Sequence, residues 1–302
     1  MNDMDIQGLI PPIPTPFDDQ ERLALDQLRS NLERWNTCGF SGYVVLGSNG
    51  EFVHLTERER LSALEVARDA IPPNLLFIAG CSFQSTAETI IYLKQAARLG
   101  ANAALVNAPF YYKSAMTASR LLAHFRRVAD ESPIPILLYN VPQFTGLTLP
   151  VQTVAQLAEH SNIWGIKDSS GDIGVLSNIL RLTPETFRVL IGSASAFFPG
   201  LALGAHGAVL AVSSIAWEAC LEIMRAVHSG RHRRARDLSL RLLPVAAAVT
   251  TQFDIGGLKA ALELRGFYGG PPRSPLTSLC EEARAELQQI LRASGLFPEL
   301  ES

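Results

Sequence analysis

Several protein classes are excluded by what this sequence lacks. Its four cysteines, Cys38, Cys81, Cys220 and Cys280, stand far apart and form no CxxC pair. Neither a disulfide framework nor a zinc ribbon fits that spacing. The thiols read instead as small core residues in a reducing compartment, the cytoplasm. There is no cationic excess, since 26 Lys and Arg face 29 Asp and Glu for a net charge of −3. Phosphate binding needs a cationic face, so nucleic acid is not an expected partner. The opening residues MNDMDIQG hold no basic n-region or apolar run, so neither a secretory signal nor a transit peptide is expected. Walker A and GxGxxG phosphate loops are both missing.

One long stretch, Val189 to Trp217, is free of Asp, Glu, Lys and Arg. By length it would reach across a bilayer. Pro199, His206 and interspersed glycines and serines dilute it, however, and it parses as strand, Gly-Ser turn, small-residue helix and second strand. A continuous apolar run is what a parallel strand with both faces covered looks like. No membrane association is expected.

What remains is a chain of 302 residues, 47% hydrophobic and 18% charged. That composition excludes a disordered chain, and the length suits one α/β domain of roughly 250 residues plus an appendage. Strand-like runs fall at Leu9–Ile13, Gly42–Val45, Leu75–Ile78, Ala103–Val106, Ile136–Tyr139, Ile163–Lys167, Arg188–Ile191 and Ala208–Val212. Between them lie helical segments such as Leu25–Thr37, Thr56–Ala70, Ser85–Leu99 and Thr117–Asp130. Thr56 and Ser85 are followed by glutamates in capping-box arrangement, and Gly100 is a left-handed stop. Alternation of this kind predicts a (β/α)8 TIM barrel, an α/β fold, over residues 1–230. Residues 231–302 hold no strand-like run and read as a C-terminal helical domain, with helices at 231–249, 256–265 and 278–293.

Barrel chemistry sits where strands end. Lys167 closes an apolar strand, which would carry its amine away from bulk water. Desolvation disfavours a charged ammonium, and a neutral amine attacks ketones to give Schiff bases. The alternatives are a lysine snorkelling at a strand end or paired with Asp168. Tyr139 ends the neighbouring strand and could shuttle protons beside that amine, or simply bond a backbone group. The loop Gly47-Ser48-Asn49-Gly50 offers backbone amides at a turn, suited to a carboxylate or phosphate, yet alone it is also just a turn. His228 and His232 lack a third ligand. Arg231, Arg233, Arg234 and Arg236 suit a solvated helix face or a subunit contact. No metal site and no cofactor are expected, and no histidine cluster of the metal-dependent aldolase type is found.

Three motifs in order, Gly47-Ser48-Asn49-Gly50-Glu51, Tyr139-Asn140-Val141-Pro142 and Gly165-Ile166-Lys167-Asp168-Ser169-Ser170-Gly171-Asp172, resemble the dihydrodipicolinate synthase / N-acetylneuraminate lyase superfamily. The likeness runs from Thr15-Pro16-Phe17 to the C-terminal helices. Within the superfamily, the chain most resembles 4-hydroxy-2-oxoglutarate aldolase. The marks of that likeness are Gly-Ser-Asn-Gly-Glu-Phe at 47–52, Ser132-Pro133-Ile134-Pro135, Ala247–Thr251 with Gly256-Gly257-Leu258-Lys259, and Gly269-Gly270-Pro271-Pro272-Arg273. The synthases carry an arginine shortly after Tyr-Asn-Val-Pro to grip a substrate carboxylate, where this chain has Phe144. A buried carboxylate without its guanidinium is costly, so synthase activity is disfavoured.

The resemblance implies that Lys167 forms a Schiff base with a 2-oxo acid and that Tyr139 shuttles protons. Ser48 and Asn49, with backbone amides through Gly50, would hold the C1 carboxylate, and Ser48 would also relay protons. Ser169 would meet the far end, Phe144 would line it, and the Val209 carbonyl would face the lysine. Either Tyr111 or Tyr112 would serve as a tyrosine given by a neighbouring subunit of a homotetramer. The expected reaction is class I cleavage of 4-hydroxy-2-oxoglutarate to pyruvate and glyoxylate. The rivals are an aldolase or dehydratase for a 2-keto-3-deoxy sugar acid, the synthase, and a silent relative that only binds 2-oxo acids. Apolar Phe144, Val106 and Phe110 near the mouth lean against a sugar chain.

Overall fold

The structure, a computed structural model, describes residues 5–300. Residues 1–4 and 301–302, which the expected domains and the reading of the N-terminus include, lie outside the described residues. The described residues hold eight strands: β1 (Gly8–Leu9), β2 (Gly42–Val45), β3 (Leu76–Gly80), β4 (Ala103–Asn107), β5 (Ile136–Asn140), β6 (Ile163–Asp168), β7 (Arg188–Ile191) and β8 (Gly207–Ala208). They form one sheet in the order β1-β8-β7-β6-β5-β4-β3-β2. Helices alternate with them: α1 (Leu25–Trp35), α2 (Glu57–Ala70), α3 (Thr86–Arg98), α4 (Ala118–Glu131), α5 (Pro142–Thr145), α6 (Val151–Ala158), α7 (Ile173–Leu182), α8 (Phe197–Ala202) and α9 (Trp217–His228). Three more close the chain: α10 (His232–Ala247), α11 (Asp254–Leu264) and α12 (Glu281–Ser294). This is the expected (β/α)8 TIM barrel with C-terminal helices.

The described residues divide into two compact units, residues 5–8 with 76–209, and residues 9–75 with 210–300. The expected boundary at residue 231 falls inside the second unit, between α9 and α10.

In the first unit the ladders from β3 to β8 are all parallel. Every residue of β3, β4 and β5 is buried, which is why these strands read as unbroken apolar runs. Ser85 and Thr117 cap α3 and α4 by accepting the amides of Glu88 and Arg120. The uncharged 189–217 stretch resolves into β7, α8 and β8. No described helix is long and apolar enough to cross a membrane.

In the second unit the Thr56–Glu59 capping box forms as expected, with both reciprocal bonds to the start of α2 present. Trp35 stacks on Phe267 at 4.9 Å and donates from Nε1 to the Ser214 carbonyl at 3.0 Å.

Three expectations need correction. The first strand stops at Leu9 instead of Ile13, because Pro11 and Pro12 have no N–H to give a ladder; only a Pro12–Val44 bridge continues it. The last strand stops at Ala208, and Ala211–Ser214 coil into a 3-10 turn. There the Ser213 and Ser214 hydroxyls bond back to the carbonyls of Leu210 and Ala211 at 2.6 and 2.9 Å, competing with a ladder. None of the four cysteines forms a disulfide, but only Cys81 and Cys220 are core residues; Cys38 is half-buried and Cys280 is exposed, the latter just ahead of α12 where the helix end meets solvent.

Candidate active site

The expected site residues fall in both units. In the first unit, the registers Asn107↔Tyr139, Tyr139↔Lys167 and Lys167↔Leu190 set four residues side by side across β4 to β7. Register partners in a parallel sheet point to the same face, and the next residue along each strand points to the other. The Lys167 side chain is 2% exposed, with Nζ 4.2 Å from the centre of the Tyr139 ring. The structure therefore brings Lys167 and Tyr139 together.

Asp168 takes the opposite face. Its carboxylate accepts from Asn140 Nδ2 at 2.6 Å and from the Ser170 hydroxyl at 2.7 Å. Burial pushes this carboxyl above its ordinary range, and the Asn140 and Ser170 bonds oppose that shift. Asn140 also accepts the Leu149 amide at 3.0 Å, tying β5 to the chain entering α6. The alternative of a Lys167–Asp168 ion pair is not realised among the described residues. Pleat alternation alone separates the two groups.

Ser169 is buried one residue beyond β6, its amide bonded to the Asn140 carbonyl at 2.8 Å. Its hydroxyl lies against Gly192, where any Cβ would come within 2.0 Å of Oγ. The residue after β7 must be glycine for Ser169 to keep this position. Val209 is buried just past β8 and donates its amide to the Ile191 carbonyl at 2.8 Å. Phe144, on α5, is 60% exposed, and Tyr111 and Tyr112 are 74% and 72% exposed with rings in edge contact at 5.1 Å. Gln84 Oε1 fixes that loop by accepting the amides of Phe110 and Tyr111, each at 2.8 Å.

In the second unit, Ser48, Asn49 and Gly50 form a single 3-10 turn shortly after β2. Thr15 holds it by donating its hydroxyl to the Gly50 carbonyl at 2.7 Å. Glu51 follows in a left-handed conformation, φ +51°, and its carboxylate is buried. Oε1 is 2.7 Å from Lys259 Nζ, and Oε2 accepts the Arg273 amide at 2.9 Å. Lys259 Nζ also donates to the Pro271 carbonyl at 2.9 Å and lies 4.5 Å from the Phe17 ring centre. Burial draws the Lys259 amine below its ordinary value, while Glu51 opposes that shift. Arg273 grips Glu59 through two bonds of 3.0 and 2.7 Å, which hold the Glu59 carboxyl down at about 2.

Sequence reasoning missed this Glu51 network. Gly-Gly-Leu-Lys and Gly-Gly-Pro-Pro-Arg counted only as marks of likeness, yet Lys259, Pro271 and Arg273 all converge on the turn after β2. A single lysine in the apolar run Ile255–Leu262 was the signal available. Asn107 was passed over as well. Val106, expected near the mouth, pairs with Leu138 and so lies on the face opposite Tyr139.

Fold and strand-end chemistry define a (β/α)8 protein with a buried lysine at the end of its sixth strand, beside a tyrosine from the fifth. Residues 5–294 match the dihydrodipicolinate synthetase family, and the chain belongs to that family of aldol-type lyases. It is 37% identical over 280 residues to a 4-hydroxy-tetrahydrodipicolinate synthase of Exiguobacterium, covering 93% of this chain and 95% of the relative. It is also 37% identical to an uncharacterized DapA-like lyase of Halobacterium salinarum, over 97% of this chain and 96% of the relative. Among solved structures it superposes on YagE, an Escherichia coli K12 prophage protein solved with pyruvate. The TM-score is 0.91 at 28% identity, covering 96% and 99% of the two chains. The synthase name on the first relative differs from the aldolase likeness that the motifs suggested.

Proposed function

We propose that this protein is a Schiff-base aldolase that cleaves 4-hydroxy-2-oxoglutarate to pyruvate and glyoxylate. The observation that carries the reading is the buried Lys167 amine over the Tyr139 ring, with the adjacent carboxylate of Asp168 engaged elsewhere. In this reading Lys167 Nζ attacks the C2 ketone, and loss of water leaves a protonated imine. Tyr139 takes the proton of the C4 hydroxyl while the C3–C4 bond breaks. The bonding pair moves into the imine, giving an enamine, and glyoxylate departs. Protonation at C3 and hydrolysis then release pyruvate and the free amine.

Ser48, Asn49 and the Gly50 amide hold the C1 carboxylate, with Ser48 relaying protons. Ser169 meets the far end of the substrate, the Val209 carbonyl orients the lysine, and Phe144 lines the entrance. Either Tyr111 or Tyr112, both exposed, reaches a neighbouring subunit of a cytoplasmic homotetramer; one solved relative, by contrast, is a monomeric synthase variant. The pyruvate complex of YagE supports a 2-oxo acid as substrate. Phe144, in place of the synthase arginine, speaks against the synthase reaction.

A second reading, lyase action on a 2-keto-3-deoxy sugar acid, gains from the structure. The β4 residue on the Tyr139 face is polar Asn107, not Val106. Borohydride with pyruvate should trap an adduct on wild type and none on Lys167→Ala; equal labelling of both refutes the Schiff base. Faster release of aldehyde from 4-hydroxy-2-oxoglutarate than from keto-deoxy sugar acids supports the first reading, and the reverse order selects the second.

A further inference from the structure

Asn107 ends β4 in register with Tyr139, which is itself in register with Lys167. Its side chain therefore shares their face of the sheet. The residue is only 4% exposed, yet Oδ1 has no hydrogen-bond partner among the described residues. Its backbone amide donates to the Ser82 hydroxyl at 3.0 Å, so that hydroxyl's acceptor capacity is met by the main chain and the side-chain oxygen is what remains unmet. An unmet buried amide oxygen is destabilising. Leucine, of nearly the same shape, would fit an apolar strand end without that cost. A polar group kept there at the expense of stability points to a ligand.

We propose that Asn107 is a specificity-determining residue whose amide hydrogen-bonds the aldehyde half of the substrate. The order along the row decides which half. Lys167 bonds C2, Tyr139 acts at the C4 hydroxyl, and Asn107 stands one strand, about 4.8 Å, further on. That position lies beyond the bond that breaks and away from the pyruvate half. A carboxamide offers both a carbonyl acceptor and an N–H donor, so it suits a hydroxyl or a carboxylate on the leaving aldehyde and disfavours an alkyl group. This inference rests on the Schiff-base reading of Lys167.

The test is carried out on the full chain in the condensation direction, with pyruvate and three aldehydes: glyoxylate, glyceraldehyde and propionaldehyde. In Asn107→Leu, kcat/KM for the better of the two polar aldehydes should fall about 10- to 100-fold, while that for propionaldehyde holds or rises. Borohydride trapping of pyruvate on Lys167 should be unchanged, and the melting temperature should be equal or higher. An equal loss with all three aldehydes, no loss with any, or weakened pyruvate trapping would overturn the proposal. The second of these outcomes is what a water resting on Oδ1 would give. Failure of wild type to trap pyruvate would instead refute the Schiff-base reading, so the two failures are distinguishable.

Discussion

Removing the Lys259 ammonium should cost this protein more stability than any surface ion pair could, and the loss should be largely recovered by removing its partner. Both side chains of the Glu51–Lys259 pair are 1% exposed and 2.7 Å apart. Lys259→Met would leave the Glu51 carboxylate buried without its cation, and the Pro271 carbonyl without its donor. Breaking such a buried pair costs about 3–5 kcal/mol. At ~2 °C per kcal/mol for a long chain, the melting temperature should fall by roughly 6–10 °C. Glu51→Gln with Lys259→Met takes out both charges, and the new carboxamide oxygen can still accept the Arg273 amide. The double variant should therefore melt well above the Lys259→Met single. The assay is a double-mutant cycle by thermal or urea melting at pH 7, with a coupling energy of ~2 kcal/mol or more expected. Additivity of the two singles within ~0.5 kcal/mol would refute the reasoning. Glu51 directly follows the Ser48–Gly50 turn. Lys259→Met should therefore also raise the pyruvate concentration needed for half-maximal borohydride trapping, measured well below its melting point.

Two further outcomes follow from packing and titration. Gly192→Ala places a methyl within 2.0 Å of Ser169 Oγ, so it should cost about 1–3 kcal/mol of stability and lower aldolase turnover more than it lowers pyruvate trapping; unchanged turnover would remove Ser169 from the substrate's far end. Burial holds the His124 imidazole down at about 4, from an ordinary 6.5. Between those values the unfolded chain binds a proton that the native state refuses, so stability present above pH 6.5 should fall as pH drops towards 4, by up to ~1.4 kcal/mol per unit. Melting curves across that range should flatten in His124→Gln, and an identical slope in the variant would exclude His124 as the source.

Much of the architecture was legible because parallel barrel strands are buried on both faces and stand out as short apolar runs between amphipathic helices. Lys167 and Tyr139 were legible for a related reason, since each is a reactive group closing such a run. The strand ends were less so: Pro11, Pro12 and the serines at 213–214 shortened two strands through local hydrogen bonding that an apolar run does not reveal. Val106 was misplaced and Asn107 overlooked because a buried run carries no alternation from which to read faces.

By itself the sequence determined the (β/α)8 order, the strand-end lysine and tyrosine, and membership of a lyase family through motifs carried in order along the chain. Only the tertiary structure decided which neighbours those residues have. Pairing register put Asn107 beside Tyr139 and Tyr139 beside Lys167. Folding also brought Lys259 and Arg273 from the C-terminal segment onto Glu51. The physical reason is the same in each case. Register and ion pairing are contacts between segments distant in sequence, and local propensity and periodicity hold no record of them.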